Sequence, residues 1–358
     1  MYELTTKPDW AEAKERFTRW WNCEETDRPV LIIKARRDKP LTDALPLDTP
    51  DSPEAQWLDI DGIIERKKRD FAYFSYLGEA FPYIHPALGP GTLGVYLGSE
   101  PEFSKDTVWY EKCYDSPADA SAQLSDENKW WKWTKEYTEK IIANCEGDYI
   151  PAFPDFIENL DTIAELLGTI ETVYALNDAP DDIHRLQEET LESFFKAYDT
   201  LYEMMFPEQD ESAFMCFEIW APGRILKMQS DIAALLSPDL FEEFAVPYFN
   251  RQCEKLDYVL YHLDGPGAIY SLDSLCRIER INAIQWVSGA GAAPADDESW
   301  DYIYKKILDA GKGIHASVRP EHARSFKKRF GSKGVFMSIG GTFQTETEAR
   351  EFLKEMEK

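Results

Sequence analysis

What this chain has little of excludes several functions at once. Positive charge is scarce: 39 Lys and Arg stand against 66 Asp and Glu, a formal charge of −27 with a pI near 4.6. Such a surface repels phosphate backbones and anionic bilayers, so neither nucleic acid nor a membrane surface is an expected partner. No run of 18 apolar residues occurs, and no membrane span is expected. The opening "MYELTTKPDWAEAKERF" is polar and amphipathic, without the apolar segment of a signal peptide. The six cysteines (Cys23, Cys113, Cys145, Cys216, Cys253 and Cys276) show no CxxC spacing. They read as reduced thiols, which fits a cytoplasmic setting. No GxGxxG follows the first strand and no GxxxxGK[ST] occurs, which removes support for nucleotide-binding folds. No linker-like stretch divides the 358 residues, so one domain is expected over 1–358.

What is present is a rhythm. Residues 1–80 read as an N-terminal helical extension and a first strand, Val30 to Lys34, introduced by Pro29. Ser52-Pro53 opens a helix as cap and first turn. "HPALGPGTLGVYLGSEPEF" is rich in Gly and Pro and reads as a structured loop or a lid. From Tyr149 onward, short apolar strands each precede an amphipathic helix. The strands are 149–155, 213–220, 258–264, 283–289, 313–318 and 334–341. Repetition of this kind predicts an α/β fold with a mostly parallel sheet, in number enough for a (β/α)8 TIM barrel. A doubly wound open sheet is the alternative. The chain carries 11 Trp, clustered at Trp20–Trp21 and Trp130–Trp133. They read as helix-packing residues, or as a wall for a flat ligand.

Barrel enzymes place their chemistry at the C-terminal ends of the strands. That rule selects Asp155, Glu218, His262, Asp264, Ser288, His315, Arg319 and Ser338. His262 and Asp264 alternate along one strand, so both side chains face the same side. Imidazole and carboxylate both suit zinc. Glu218, at the end of the preceding predicted strand, is the candidate third ligand. The alternatives are a His262 hydrogen-bonded to its neighbour for structural reasons, and a Glu218 paired with Arg224. Glu218, His315 and Asp155 are the candidate catalytic groups. Arg28, Arg319, Trp220 and Asp264 are the candidate substrate contacts. Arg28, Arg36 and Arg37 flank the first strand and would bind an anion, or sit in surface ion pairs.

The order of several stretches resembles the uroporphyrinogen decarboxylase superfamily. They are "SDIAALLSPDLFEEFAVPYFNRQ", "YHLDGPGAIYSLDSL", "AIQWVSGAG" and "DAGKGIHASV", preceded by "PDFIENLDTIAELLGT" and "LNDAPDDIHRL". They span Tyr149 to Lys358. "FPYIHPALGPGTLGVYLG" is similar to the branch labelled trimethylamine corrinoid protein homologues. The resemblance implies a (β/α)8 barrel and one of two chemistries. One is cofactor-free decarboxylation of uroporphyrinogen. The other is zinc-dependent methyl transfer between a small methylated substrate and a corrinoid on a partner protein. The RQAGR motif of the decarboxylases is missing from "VLIIKARRD", and a charge of −27 suits an octacarboxylate poorly. The methyltransferases carry HxC and a later Cys. Here His262 matches their His, Asp264 stands in place of the first Cys, and no Cys falls near "MSIGGTF". The expected zinc set is therefore Glu218, His262 and Asp264, an oxygen- and nitrogen-rich site. A carbohydrate-active barrel, and a binding protein that has lost its metal, are the rival readings. Oligomer formation is left open.

Overall fold

The computed structural model describes residues 2–207 and 209–358. Six strands form one parallel sheet. β1 (Val30–Arg36) lies beside the last strand, Val335–Ile339. From there the order runs back through Gly313–Val318, Ala283–Val287 and Tyr258–Asp264 to Ile225–Gln229. A further parallel pair is formed by Tyr83–Ile84 and Ile150–Pro151. In chain order these eight strands are β1, β2 (Tyr83–Ile84), β3 (Ile150–Pro151), β4 (Ile225–Gln229), β5 (Tyr258–Asp264), β6 (Ala283–Val287), β7 (Gly313–Val318) and β8 (Val335–Ile339). With the helices between them they make the expected TIM-barrel-like α/β fold.

Two antiparallel insertions interrupt the ring on the side of β2 and β3. Strand Phe74–Gly78 pairs with the free edge of β1. A hairpin, Ser212–Phe214 with Ile219–Ala221, follows the 26-residue helix Pro180–Met205 and bridges to Phe153 just after β3. The Ser212 hydroxyl ties it to β4, donating to the Gly223 carbonyl at 2.5 Å and accepting from the Ile225 amide at 3.1 Å.

The hairpin corrects the reading of 213–220 as one strand. Phe217 and Glu218 take left-handed backbone conformations, φ 62° and 53°, which β-strands exclude. The run turns back on itself there, and Glu218 lies on the turn instead of a strand end. β4 is the strand the sequence hid. The Gly/Pro-rich loop contains a helix, Thr92–Leu97, every residue of which is buried, so it is part of the packed body.

Helix α1 (Trp10–Trp21) closes the N-terminal end of the barrel. Its buried face is Trp10, Ala13, Phe17, Trp20 and Trp21, the 3.6-residue spacing of an amphipathic helix. Phe17 meets Phe81 and Phe336 edge to face, and Trp20 packs on Phe336 at 5.1 Å between ring centroids. The Trp20 Nε1–H donates to the Ile314 carbonyl inside β7 at 3.4 Å. Among the described residues α1 covers that end, and the opposite, C-terminal end of the strands forms the mouth.

Trp130, Trp131 and Trp133 lie on the helix Lys129–Ala143. Asn128 caps this helix by accepting from the Trp130 and Trp131 amides. Trp131 is buried against Tyr96, as the packing alternative predicts.

Candidate functional site

The strand period of two divides each barrel strand into an outward face under the helices and an inward face toward the lumen. On β5, Val259, Tyr261 and Leu263 are at most 1% exposed, whereas His262 and Asp264 keep partial access to solvent. On β1, Ile33 and Ala35 are fully buried while Lys34 and Arg36 open progressively toward the mouth. The lumen is therefore polar and solvent-reached at its C-terminal end and apolar below.

His262 and Asp264 converge with Asp231. Each offers one ligand atom, and the three atoms lie within 4.8 Å of one another. Asp231 begins a 3₁₀ turn, Asp231–Leu235, directly after β4 and one residue past Gln229 and Ser230. The Asp161 carboxylate anchors that turn, accepting from the amides of Asp231 at 2.7 Å and Ile232 at 2.9 Å. Gln229 donates to Asp231 Oδ2 at 3.0 Å.

The neighbours of His262 set its tautomer. Gln285, register partner of His262 on β6, donates its amide N–H to the Trp286 carbonyl at 3.2 Å. Its amide oxygen then faces His262 Nδ1, which must be the protonated nitrogen. The Nε2 lone pair is left for a metal, the orientation by a second hydrogen bond that metal-binding histidines ordinarily show. Burial and the nearby Lys227 hold the His262 pKa below its usual value. Burial raises the Asp231 carboxyl, against the attraction of His262 and Lys227, and Asp264 adds to the rise. A neutral imidazole beside two crowded carboxylates suits a divalent cation, and the O,N donor set fits zinc or a harder ion.

Behind this group the wall is unusually ionisable. Lys227, inward on β4 and 1% exposed, pairs with Asp155 Oδ1 at 2.6 Å and also meets Gln229 Oε1. Cys216 Sγ donates to the other Asp155 oxygen at 3.2 Å. Glu158 is 1% exposed with neither carboxyl oxygen hydrogen-bonded, and burial pushes its pKa up to about 8, against the pull of Lys227. Burial and Asp231 raise Asp161 to about 7. Glu165 is raised further by burial and its acidic neighbours. Its carboxylate lies where a side chain on Gly91 or Gly94 would stand, 1.8 and 2.1 Å from their Cβ positions. A cleft of about 620 Å³ runs out from Asp231 past Asp161, Glu165, Tyr110 and Trp109.

The remaining predicted site residues disperse. Glu218 is outside the Asp231–His262–Asp264 group, because the left-handed turn aims it toward β1. There burial raises it to about 7, against Lys34 and Lys67. Its neighbour Phe217 reaches the other side, its ring 5.5 Å from that of His262 and 5.0 Å from that of His315. His315 is fully buried, its Nε2 2.8 Å from the Ser338 hydroxyl and its Nδ1 without a partner. Burial, with His262 nearby, holds its pKa down to about 3.

Arg28 precedes β1 at the sealed end, where it makes two hydrogen bonds of 2.8 Å to Glu79. Arg319 is committed to Asp296 by paired contacts of 2.7 and 2.9 Å. Trp220 packs on Trp10 and Phe17 of α1, far from the mouth. None of these three reaches the lumen as a substrate contact. Each satisfies a packing or pairing need that strand-end reasoning cannot see.

Asp231 is the site residue that sequence reasoning missed, because β4 was not recognised. The signal was there: "LKMQSD" and "YHLD" both run an alternating pattern into a carboxylate, at the strand end in Asp264 and two residues past it in Asp231. No protein-family model matches the chain, and no curated protein does. Among solved structures, a methyltransferase from Methanosarcina mazei is similar at 11% sequence identity. The match covers 96% of this chain and 98% of that one, with a TM-score of 0.59, so the two share a fold over nearly their whole lengths.

Proposed function

We propose that this protein is a zinc-dependent methyltransferase. In this reading it moves a methyl group between a small methylated substrate and a corrinoid held by a partner protein at the open mouth. The observation that carries the reading is the convergence of Asp231, His262 and Asp264 at the C-terminal ends of two neighbouring barrel strands. The fold shared with a named methyltransferase supports it. Asp231 takes the ligand role first assigned to Glu218. Zinc bound there would supply Lewis acidity toward the heteroatom that carries the methyl group.

The chain's own residues divide the remaining work. Gln285 holds His262 in the ligating tautomer. Phe217 forms an apolar floor beside His262 and His315, which excludes water from the reacting methyl group. Glu218, with a carboxyl near 7, is able to give or take a proton at physiological pH. Asp155 is neutralised by Lys227, and His315 is held neutral, so both act as positioning residues.

The test is elemental analysis of the purified protein, followed by a methyl-donor panel with zinc, a corrinoid protein and a reductant. One zinc per chain, lost in His262→Ala and Asp231→Asn together with transfer activity, is the expected result. A metal-free wild-type protein, inactive across the panel, would sink the reading.

A further inference from the structure

Three neighbouring strands set Gln229, His262 and Gln285 in one row. Gln229 of β4 and Gln285 of β6 are the register partners of His262 on its two sides. The two amides are fixed in opposite senses. Gln285 gives its N–H to the Trp286 carbonyl, so its oxygen is left for His262. Gln229 is fixed by the Lys227 ammonium, which can only donate, so Gln229 Oε1 must face it. The Gln229 N–H therefore points the other way and donates to Asp231 Oδ2 at 3.0 Å. Lys227 is 1% exposed and is itself held by Asp155 Oδ1 at 2.6 Å. The second Asp155 oxygen accepts from Cys216 Sγ at 3.2 Å. Lys227, Gln229 and Asp231 follow one another at every second residue, so β4 and the turn after it carry these contacts up to the metal group. A buried ion pair is weak evidence for stability, because apolar residues of similar volume often serve as well or better. What this pair does supply is a fixed donor at one end of Gln229.

We propose that Asp155, Lys227 and Gln229 form a relay of positioning residues that presents Asp231 to the metal through a single oxygen. The hydrogen bond from Gln229 occupies Oδ2 and leaves Oδ1 as the ligand atom. The inference rests on the proposed metal at Asp231, His262 and Asp264, and not on methyl transfer. Without Lys227, the Gln229 amide is free to turn end for end, and Asp231 is free to rotate or to bind through both oxygens. Charge alone predicts a different outcome. Asp155 and Lys227 together carry no net charge, so replacing both by neutral residues leaves the Coulomb attraction for a cation nearly unchanged.

The test compares the full chain with Asp155→Asn/Lys227→Met, with Gln229→Leu, and with all three substitutions together. Zn2+ affinity is read by chelator competition, coordination by the visible spectrum of bound Co2+, and stability by urea unfolding of the metal-free protein. The double variant weakens Zn2+ binding by about tenfold or more, the usual effect of losing an outer-shell partner. Its metal-free stability stays at or above wild type. Gln229→Leu weakens binding to a similar degree, and the triple variant lies within about twofold of it, because Lys227 acts through Gln229. The Co2+ spectrum shifts in the same way in all three. Unchanged affinity in the double variant, or additive losses in the triple variant, overturns the relay. So does a loss of metal-free stability that accompanies the loss of affinity, which assigns the pair a structural role. If the double variant does not fold, Gln229→Leu decides: an unchanged affinity and spectrum overturn the relay. Wild-type protein that binds neither ion removes the relay and the zinc reading together. Relay-dependent Zn2+ binding in a protein inactive across the methyl-donor panel removes methyl transfer and leaves the relay standing.

Discussion

Replacing Gln285 with Leu tests the metal centre without touching a ligand. Gln285 is fully buried, and its oxygen is the acceptor that keeps the proton on His262 Nδ1. Leu fills similar volume but cannot accept. The ring then loses both its tautomer preference and its rotational restraint. Loss of such an outer hydrogen bond typically weakens metal binding by about 10- to 100-fold, or about 1.4–2.7 kcal/mol. The effect on folding is smaller, because the other bond lost is a single one to the Trp286 carbonyl, worth about 1 kcal/mol. Zinc competition against a chromophoric chelator measures the first quantity, and urea unfolding of the metal-free protein measures the second. Gln285→Glu is the control: a carboxylate accepts the same proton and keeps the affinity at or above wild type. An unchanged zinc affinity in Gln285→Leu, in a protein where His262→Ala abolishes binding, would falsify the assignment of Nε2 as the ligating atom.

Arg28→Met should destabilise the protein by about 1.5–3 kcal/mol in urea titrations, since it removes two hydrogen bonds from the buried Glu79 carboxylate, which keeps Arg16 at 3.0 Å and the Leu31 amide at 2.8 Å. It should leave ligand affinity in the lumen unchanged; a selective loss of affinity at constant stability would return Arg28 to the substrate contacts. Stability of the metal-free protein should fall as pH rises from 6.5 to 8. Glu158 is raised to about 8, and Asp161 and Glu218 to about 7. Over that window the unfolded chain has released protons that the folded chain still holds, so the slope is negative. His85 and His315, held to about 3, act with the opposite sign only as pH falls below 6.5. For Glu158 alone the window spans about 1.5 pH units, or about 2 kcal/mol at most. Glu158→Gln should flatten that part of the melting-temperature profile, and a flat wild-type profile in chelator would remove the premise.

Strands β5 and β7 match the sequence expectation to the residue, because their outward faces (Val259, Tyr261 and Leu263; Ile314, Ala316 and Val318) are apolar and their ends are marked by Gly or Asp. β4 failed for the same reason that it matters. Its inward positions are Lys227 and Gln229, and a polar lumen breaks the apolar run by which buried strands are recognised. The chain from Ala213 to Trp220 has the composition of a strand and no glycine to announce a turn. Phe217 and Glu218 nevertheless take the left-handed region, at a cost of about 1–2 kcal/mol for each residue, which the surrounding packing must offset. His262 and Asp264 could be placed from alternation alone. Asp231 could not, since it depends on a strand that had to be seen first.

The aromatic floor contributed by α1 also constrains the order of assembly. Trp20 and Phe17 are made well before their partners Ile314 and Phe336, which lie more than 290 positions later. β1 likewise waits for β8 to complete its parallel ladder. Phe81 and Trp220 can cover part of this helix earlier, but the surface that Phe17 and Trp20 bury against Ile314 and Phe336 is completed only when almost the whole chain has emerged. Contacts of such sequence separation slow folding and prolong the exposure of sticky surface. A chain stopped before Val335 would lack Phe336 and leave the Phe17–Trp20 face of that helix incompletely covered.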